Sequence, residues 1–161
     1  MNKLDVIKSK IAGPDDLDKR LAFWRFKGFK IIFTNGCFDI LHRGHVEYLA
    51  KAANLGDKLI VGLNTDASVR KIKGPGRPYQ DQDSRAEILA SLHFVDAVIL
   101  FDEETPLNLI RQLKPDFLVK GSDYKPEEVV GADVVSKYGG DVFTIDLVKG
   151  YSTTAIIENR K

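Results

Sequence analysis

The chain is poor in several things at once. Only one of its 161 residues is cysteine, Cys37, so no disulfide can form within it, and a reducing cytoplasm is the expected setting. No apolar run approaches the ~20 residues that a membrane span needs. The first dozen residues interleave Lys3, Asp5, Lys8 and Lys10 with small apolar groups, and so lack the continuous stretch of a secretion signal. Charge of neither sign is in excess. With 24 Lys and Arg against 23 Asp and Glu, the net charge of +1 gives no strong field to draw in nucleic acid or an anionic membrane. No internal repeat, low-complexity tract or interdomain linker interrupts the chain. Its 43% hydrophobic content suffices for one ordinary core, so the expectation is a single domain over 1–161, with 1–28 as an N-terminal helical extension.

What is present is an alternation of helix-like and strand-like runs. The spacing of Leu17, Leu21 and Trp24 predicts a helix over 15–26, ended by Gly28. Short apolar runs predict strands over 30–34, 58–63, 97–101, 116–120 and 141–145. Between and after them, helices are expected over 46–55 (closed by Gly56), 66–73, 84–92, 106–113, 126–138 and 153–160. Strands of this kind separated by helices imply an α/β fold, a parallel sheet covered on both faces with right-handed crossovers. The glycine- and proline-rich stretch over 74–83 is the longest irregular piece and reads as a flap over a site.

In a doubly wound sheet, ligands bind beyond the carboxyl ends of the strands. Polar residues cluster there. After the first strand come Asn35, Gly36, Cys37, Phe38 and Asp39, then His42, Gly44 and His45 at a helix start. After the second come Asn64 and Asp66, after the fourth Lys120, Gly121, Ser122 and Asp123, and after the fifth Lys149, Gly150, Tyr151, Ser152, Thr153 and Thr154. Two imidazoles three residues apart on a helix share a face, and a helix N-terminus attracts anions, so His42 and His45 are read as a pair aimed at one phosphoryl group. Gly36 and Gly44 let a phosphate approach the backbone. Lys71, Lys73, Arg77 and Arg85 are cations suited to a leaving pyrophosphate, and Asp39 and Asp123 could hold Mg²⁺. Plainer readings stand beside these: an N-cap for the Ser-Thr cluster and for Asp39, a solvated face for Lys71 and Lys73, a small buried side chain for Cys37, and structural roles for His93 and Trp24.

The run from Thr34 to His45 resembles the signature of the cytidylyltransferase-like nucleotidyltransferases, and Gly150–Thr154 resembles their second phosphate motif. Lys73–Pro78 and Val119–Tyr124 are similar to the members that adenylylate D-glycero-β-D-manno-heptose 1-phosphate. The resemblance implies a Rossmann-like five-stranded sheet of order 3-2-1-4-5. It implies transfer of AMP from ATP to a sugar 1-phosphate, with release of pyrophosphate and a need for Mg²⁺. It also implies a homodimer, a cytoplasmic setting and a separate sugar kinase upstream. His42 and His45 match the motif histidines, Lys71 or Lys73 the flap lysine, and Arg85 a basic residue opening the next helix. Leu147 stands where related cytidylyltransferases often carry arginine, which weighs against CTP. The competing expectations are another small phosphate acceptor, such as glycerol 3-phosphate, and a nucleotide-binding module without turnover. The histidine motif also occurs in class I aminoacyl-tRNA synthetases, but the chain has no length for a tRNA-recognition domain, and its near-neutral charge suits tRNA poorly.

Overall fold

A computed structural model describes residues 2–158. Five parallel strands form one sheet in the order β3-β2-β1-β4-β5: β1 Ile31–Gly36, β2 Lys58–Asn64, β3 Ala97–Phe101, β4 Phe117–Gly121 and β5 Asp141–Ile145. Eight α-helices surround it among the described residues: α1 Lys3–Ser9, α2 Pro14–Phe26, α3 Arg43–Ala53, α4 Asp66–Lys73, α5 Gln82–Ser91, α6 Leu107–Leu113, α7 Ala132–Lys137 and α8 Thr153–Glu158. This is the Rossmann-like α/β architecture with the expected strand order.

Strand side chains alternate between faces, and the core divides accordingly. Ile31 and Phe33 of β1 pack with Leu17, Leu21 and Trp24 of α2 and with Leu109, Ile110 and Leu113 of α6. Ile32 faces the other way, into a cluster with Leu49 and Ala52 of α3 and Ala86, Leu89 and Ala90 of α5. The two sides of the sheet are thus covered by different helices. β1 is the central strand, and the chain leaves it toward β2 on one side while β4 arrives on the other. β1 and β2 pair along six residues, from Ile31↔Lys58 to Gly36↔Leu63. β1 and β4 pair only at Ile32↔Phe117 and Phe33↔Leu118. Past those pairs the two strands part, which opens a cleft at the switch point in strand order.

Three segments differ from the sequence expectation. The first dozen residues carry α1, started by a capping box in which Asn2 Oδ1 accepts from the Asp5 N–H at 2.9 Å and Asp5 Oδ2 accepts from the Asn2 N–H at 3.2 Å. Beyond it, Ile11 bridges Val98 on the edge strand β3. The helix expected over 126–138 is broken: a 3-10 turn spans Pro126–Glu128, Val129 is extended and 4% exposed, and Gly131 takes φ 89° before α7 begins. Burying Val129 turns the backbone there, and only glycine adopts that φ readily. The helix expected over 46–55 begins three residues earlier, at Arg43, which makes His42 its N-cap. The final helix is described as far as Glu158, and positions 159 and 160 of its expected span lie outside the described residues.

Because Leu17 is fully buried in the α2 face of the core, Leu17→Ala is expected to lower stability by about 3 kcal/mol in urea denaturation. An effect below about 1 kcal/mol would mean that α2 is an appendage and not part of the core.

Candidate active site

The cleft is a cavity of about 350 Å³ beyond the carboxyl ends of β1 and β4. Of the residues singled out in the sequence, it is lined by Asn35, Gly36, Cys37, Phe38, Asp39, His42, Gly44, His45, Lys73, Arg77, Lys120, Gly121, Asp123, Tyr151, Ser152, Thr153 and Thr154. Four distant stretches of chain, 35–45, 73–77, 120–123 and 151–154, therefore meet around one cavity, as the topology requires.

The histidines sit at the start of α3. His42 is the N-cap, in extended conformation, and its side chain makes no capping hydrogen bond. No acidic residue lies in the first turn. The first N–H groups of α3 are left for an incoming anion, with the helix dipole behind them. The two imidazoles stack, with centroids 3.7 Å apart and planes 20° from parallel. Phe38 meets His45 edge-on at 5.2 Å. Such a stack opposes two positive charges at once. Burial, then the neighbouring His42, then Lys73 push the His45 imidazole down to about 4, with the Ile40 carbonyl acting weakly the other way. Burial also lowers His42. Nδ1 of both rings is buried without a hydrogen-bond partner among the described residues, as is Asn35 Oδ1. Orphaned polar atoms gathered on one cavity wall are the mark of a binding site.

Gly44 is what lets the two motifs meet. A Cβ there would stand 3.0 Å from His42 Cε1 and 3.1 Å from the Tyr151 Cβ. The His42 and Tyr151 rings lie 6.3 Å apart, and the Arg43 guanidinium is 5.6 Å from the Tyr151 ring centre. The N-terminus of α3 and the Tyr151–Thr154 turn that opens α8 thus face one space. Ser152 Oγ accepts from the Ala155 N–H at 3.0 Å and is therefore an N-cap, leaving the hydroxyls of Thr153 and Thr154 toward the cavity.

Several residues expected to touch ligand are instead structural ties. Arg85 is 1% exposed, and its guanidinium donates to the carbonyls of Gln80 (3.0 Å), Cys37 (2.6 Å) and Asn64 (2.9 Å) and to Asp66 Oδ1 (2.7 Å). Four of its five N–H groups are taken and the side chain is buried away from the cavity, so it is not placed to meet pyrophosphate; it clamps the ends of β1 and β2 together. Asn64 is buried and donates to Ser68 Oγ at 2.9 Å, and Asp66 is spent on Arg85. These three do not line the cavity. Lys71 points to Asp102 at 3.8 Å, away from the cavity, whereas Lys73, two residues on and so on another side of α4, lines it. Gly150 borders the wall at φ 82° without lining it.

Asp39 is corrected in the same way. Its carboxylate is 2% exposed and accepts from Arg77 Nε at 2.7 Å and from the N–H groups of Tyr79 (2.8 Å) and Gln80 (3.0 Å). Burial alone would raise its pKa, but the Gln80 N–H, the Arg77 guanidinium and the Tyr79 N–H outweigh it and hold the carboxyl below its ordinary range. With its lone pairs committed, Asp39 is not a metal ligand. It pins the 74–81 loop to the cleft. Among the described residues no three metal-ligating side chains converge. The carboxylate of Asp123 stays on the cavity wall, folded back over Gly121, where a Cβ would come within 2.6 Å of its Oδ1.

Tyr48, which the sequence did not mark, lines the cavity, as does Tyr124 at the end of the Val119–Tyr124 stretch. Tyr48 could have been found from its helical spacing, three residues past His45 and on the same face. Lys120 lines the wall with no ion-pair partner within 4 Å among the described residues. Its ammonium donates to the Asn35 carbonyl at 3.3 Å, and burial lowers its pKa, offset in part by Asp123 and Cys37.

The chain matches the cytidylyltransferase-like family over residues 33–159. It is 58% identical over 153 residues to the bifunctional protein HldE of Caulobacter sp. (strain K31), covering 95% of this chain and 31% of that one. It is 57% identical over 150 residues to the protein of the same name from Syntrophotalea carbinolica, covering 93% of this chain and 31% of that one. The chain thus spans about a third of the length of these curated relatives. A lipopolysaccharide core biosynthesis protein from Thermoplasma volcanium GSS1, of known crystal structure, superposes with a TM-score of 0.60 at 32% identity, covering 78% of this chain and all of that one.

The depressed histidines couple folding to pH. A base whose folded pKa lies below its unfolded value stabilises the fold above the unfolded value, and that stability is lost as pH falls. Between pH 6.5 and about 4, wild-type stability should therefore fall more steeply than that of His45→Gln, as read from urea midpoints. Parallel curves for the two proteins would show that His45 is not held neutral.

Proposed function

Because this chain belongs to the cytidylyltransferase-like family, we propose that it is a nucleotidyltransferase that moves AMP from ATP to D-glycero-β-D-manno-heptose 1-phosphate, giving ADP-heptose and pyrophosphate. The observation that carries this reading is the stacked His42–His45 pair at the uncapped start of α3, facing the Tyr151–Thr154 turn across one cavity. Mere nucleotide binding needs the helix N-terminus and the glycines; two neutral imidazoles held against each other are suited to charge that grows during reaction. Support for the acceptor comes from the Lys73–Pro78 and Val119–Tyr124 stretches, and from similarity to a lipopolysaccharide core biosynthesis protein. Leu147, on the cavity wall where cytidylyltransferases often carry arginine, favours ATP over CTP.

The reaction is an in-line displacement. A phosphate oxygen of the sugar 1-phosphate forms a bond to the α-phosphorus of ATP. The bond from that phosphorus to the oxygen bridging the β-phosphate breaks, and its electron pair leaves with pyrophosphate. The attacking oxygen is already anionic, so no protein nucleophile or base is required. The barrier lies in bringing two anions together. His42, His45 and the first N–H groups of α3 donate to the α-phosphoryl oxygens as their charge rises. Lys73 and Lys120, cations on the cavity wall with no carboxylate within 4 Å among the described residues, draw the acceptor phosphate in. Thr153, Thr154 and the start of α8 receive the leaving phosphates. With Asp39 committed and no cage of side chains among the described residues, Mg²⁺ would enter with the triphosphate and would supply further neutralisation, with Asp123 the carboxylate left on the wall to meet it.

The acceptor must first be phosphorylated, so a sugar kinase belongs upstream; the much longer relatives are called bifunctional. The reading also carries a homodimer and a cytoplasmic setting. No helix among the described residues is long and apolar enough to cross a membrane.

Pyrophosphate release, measured for ATP and CTP against heptose 1-phosphate and glycerol 3-phosphate, should be fastest by far for ATP with the heptose. ATP binding with no release of pyrophosphate for any acceptor would leave a binding module. His42→Ala and His45→Ala should each lower kcat by about 10²-fold, with smaller changes in KM. Normal turnover in either variant would remove the histidines from the mechanism.

A further inference from the structure

The β1–β4 ladder stops at Phe33↔Leu118, although β1 runs on to Gly36 and β4 to Gly121. At the level just beyond that last pair, a side chain bridges the gap. The Tyr48 hydroxyl, carried in from α3, donates to the Val119 carbonyl at 3.2 Å and lies 2.8 Å from Thr34 Oγ1. Since the tyrosine proton goes to the carbonyl, the threonine hydroxyl is the donor in the second bond. The chain of hydrogen bonds runs one way, from Thr34 through Tyr48 to Val119. Thr34 is fully buried and Tyr48 is 7% exposed, so no solvent competes for these bonds. Burial also pushes the Tyr48 phenol up to about 12, so it remains a donor at any ordinary pH.

Tyr48 is three residues beyond His45 on the same helix face, and both border the cavity. Fixing the Tyr48 hydroxyl at the parting of the strands fixes the rotation and height of the first turn of α3, and with it the stacked imidazoles. We propose that Tyr48 is a positioning residue: together with Thr34 and the Val119 carbonyl it straps α3 across the diverging strands and holds His42 and His45 at their working height over the cleft. The phenolic oxygen has its proton and an accepted bond already committed, so it acts through the histidines and not on the substrate. The kinetic part of this inference rests on the nucleotidyl-transfer reading; the placement of the rings does not.

The test is a cycle of Tyr48→Phe, Thr34→Val and the double variant, with Thr34→Ser as the conservative control. Phenylalanine and valine keep the shape and remove the hydroxyls. Each single variant should lower kcat about tenfold, while KM for ATP and for heptose 1-phosphate stays within about threefold, the scale expected for misplacing a reacting group by a fraction of an ångström. The double variant should be no slower than about the slower single one, because one chain of bonds is broken once. Thr34→Ser should stay within about twofold of wild type. Independently of turnover, the NMR titration midpoint of His45 in the substrate-free protein should move up from about 4 in Tyr48→Phe and in Thr34→Val. An unchanged kcat, or losses that multiply in the double variant, overturns the proposal, and so does an unmoved His45 midpoint in both single variants. If wild type releases no pyrophosphate with any acceptor, the transfer reading fails. The strap is then decided on the histidine titration alone.

Discussion

The β1–β4 ladder ends at the Phe33↔Leu118 pair, and the backbone groups beyond it must find partners elsewhere. The cavity is built from the answers to that demand. The Val119 carbonyl takes the Tyr48 hydroxyl, and the Asn35 carbonyl takes the Lys120 ammonium. Each partner is a long side chain reaching in from a helix or a neighbouring strand. The strand ends are thereby kept apart by a fixed amount, and the space between them is lined with polar groups without collapsing.

Two kinds of buried polarity follow, and their chemistry differs. Arg85 and Asp39 each make four hydrogen bonds to protein, and such groups serve as scaffold. The Nδ1 atoms of His42 and His45 and Oδ1 of Asn35 are buried and unmatched. Their desolvation disfavours this surface until something polar fills it. The contrast separates ligand-binding groups from look-alikes that share their sequence neighbourhood. It moves Asp39, Arg85, Asn64 and Asp66 from the binding list to the frame.

The sheet could be read from the sequence because its signals are local. Five short apolar runs between helical patterns determine a parallel sheet, and strands 97–101 and 141–145 were placed at their observed limits. The histidine pair was readable for the same reason, since i and i+3 on a helix start are neighbours whatever the rest of the chain does. The failures are nonlocal. Nothing near Arg85 in the chain says that its guanidinium meets carbonyls 48 and 21 residues earlier. Whether a charged residue after a strand faces ligand or frame depends on partners that only the folded chain supplies. The break at Gly131 has the same origin: the pattern over 126–138 suits a helix, but burying Val129 against the α6 side of the core outweighs local propensity. The capping box of Asn2 and Asp5 is a local signal too, an Asn followed three residues on by an acid at a helix start.

The four contacts that Asp39 makes with Arg77, Tyr79 and Gln80 have a further meaning for how substrates arrive. A loop fixed by a buried carboxylate is a standing jamb, not a swinging door. Its ordering entropy is spent when the polypeptide folds and is not charged again to each guest. The wall at Arg77–Gln80 thus keeps one shape before and after anything enters the cleft, to the extent that Asp39 holds it.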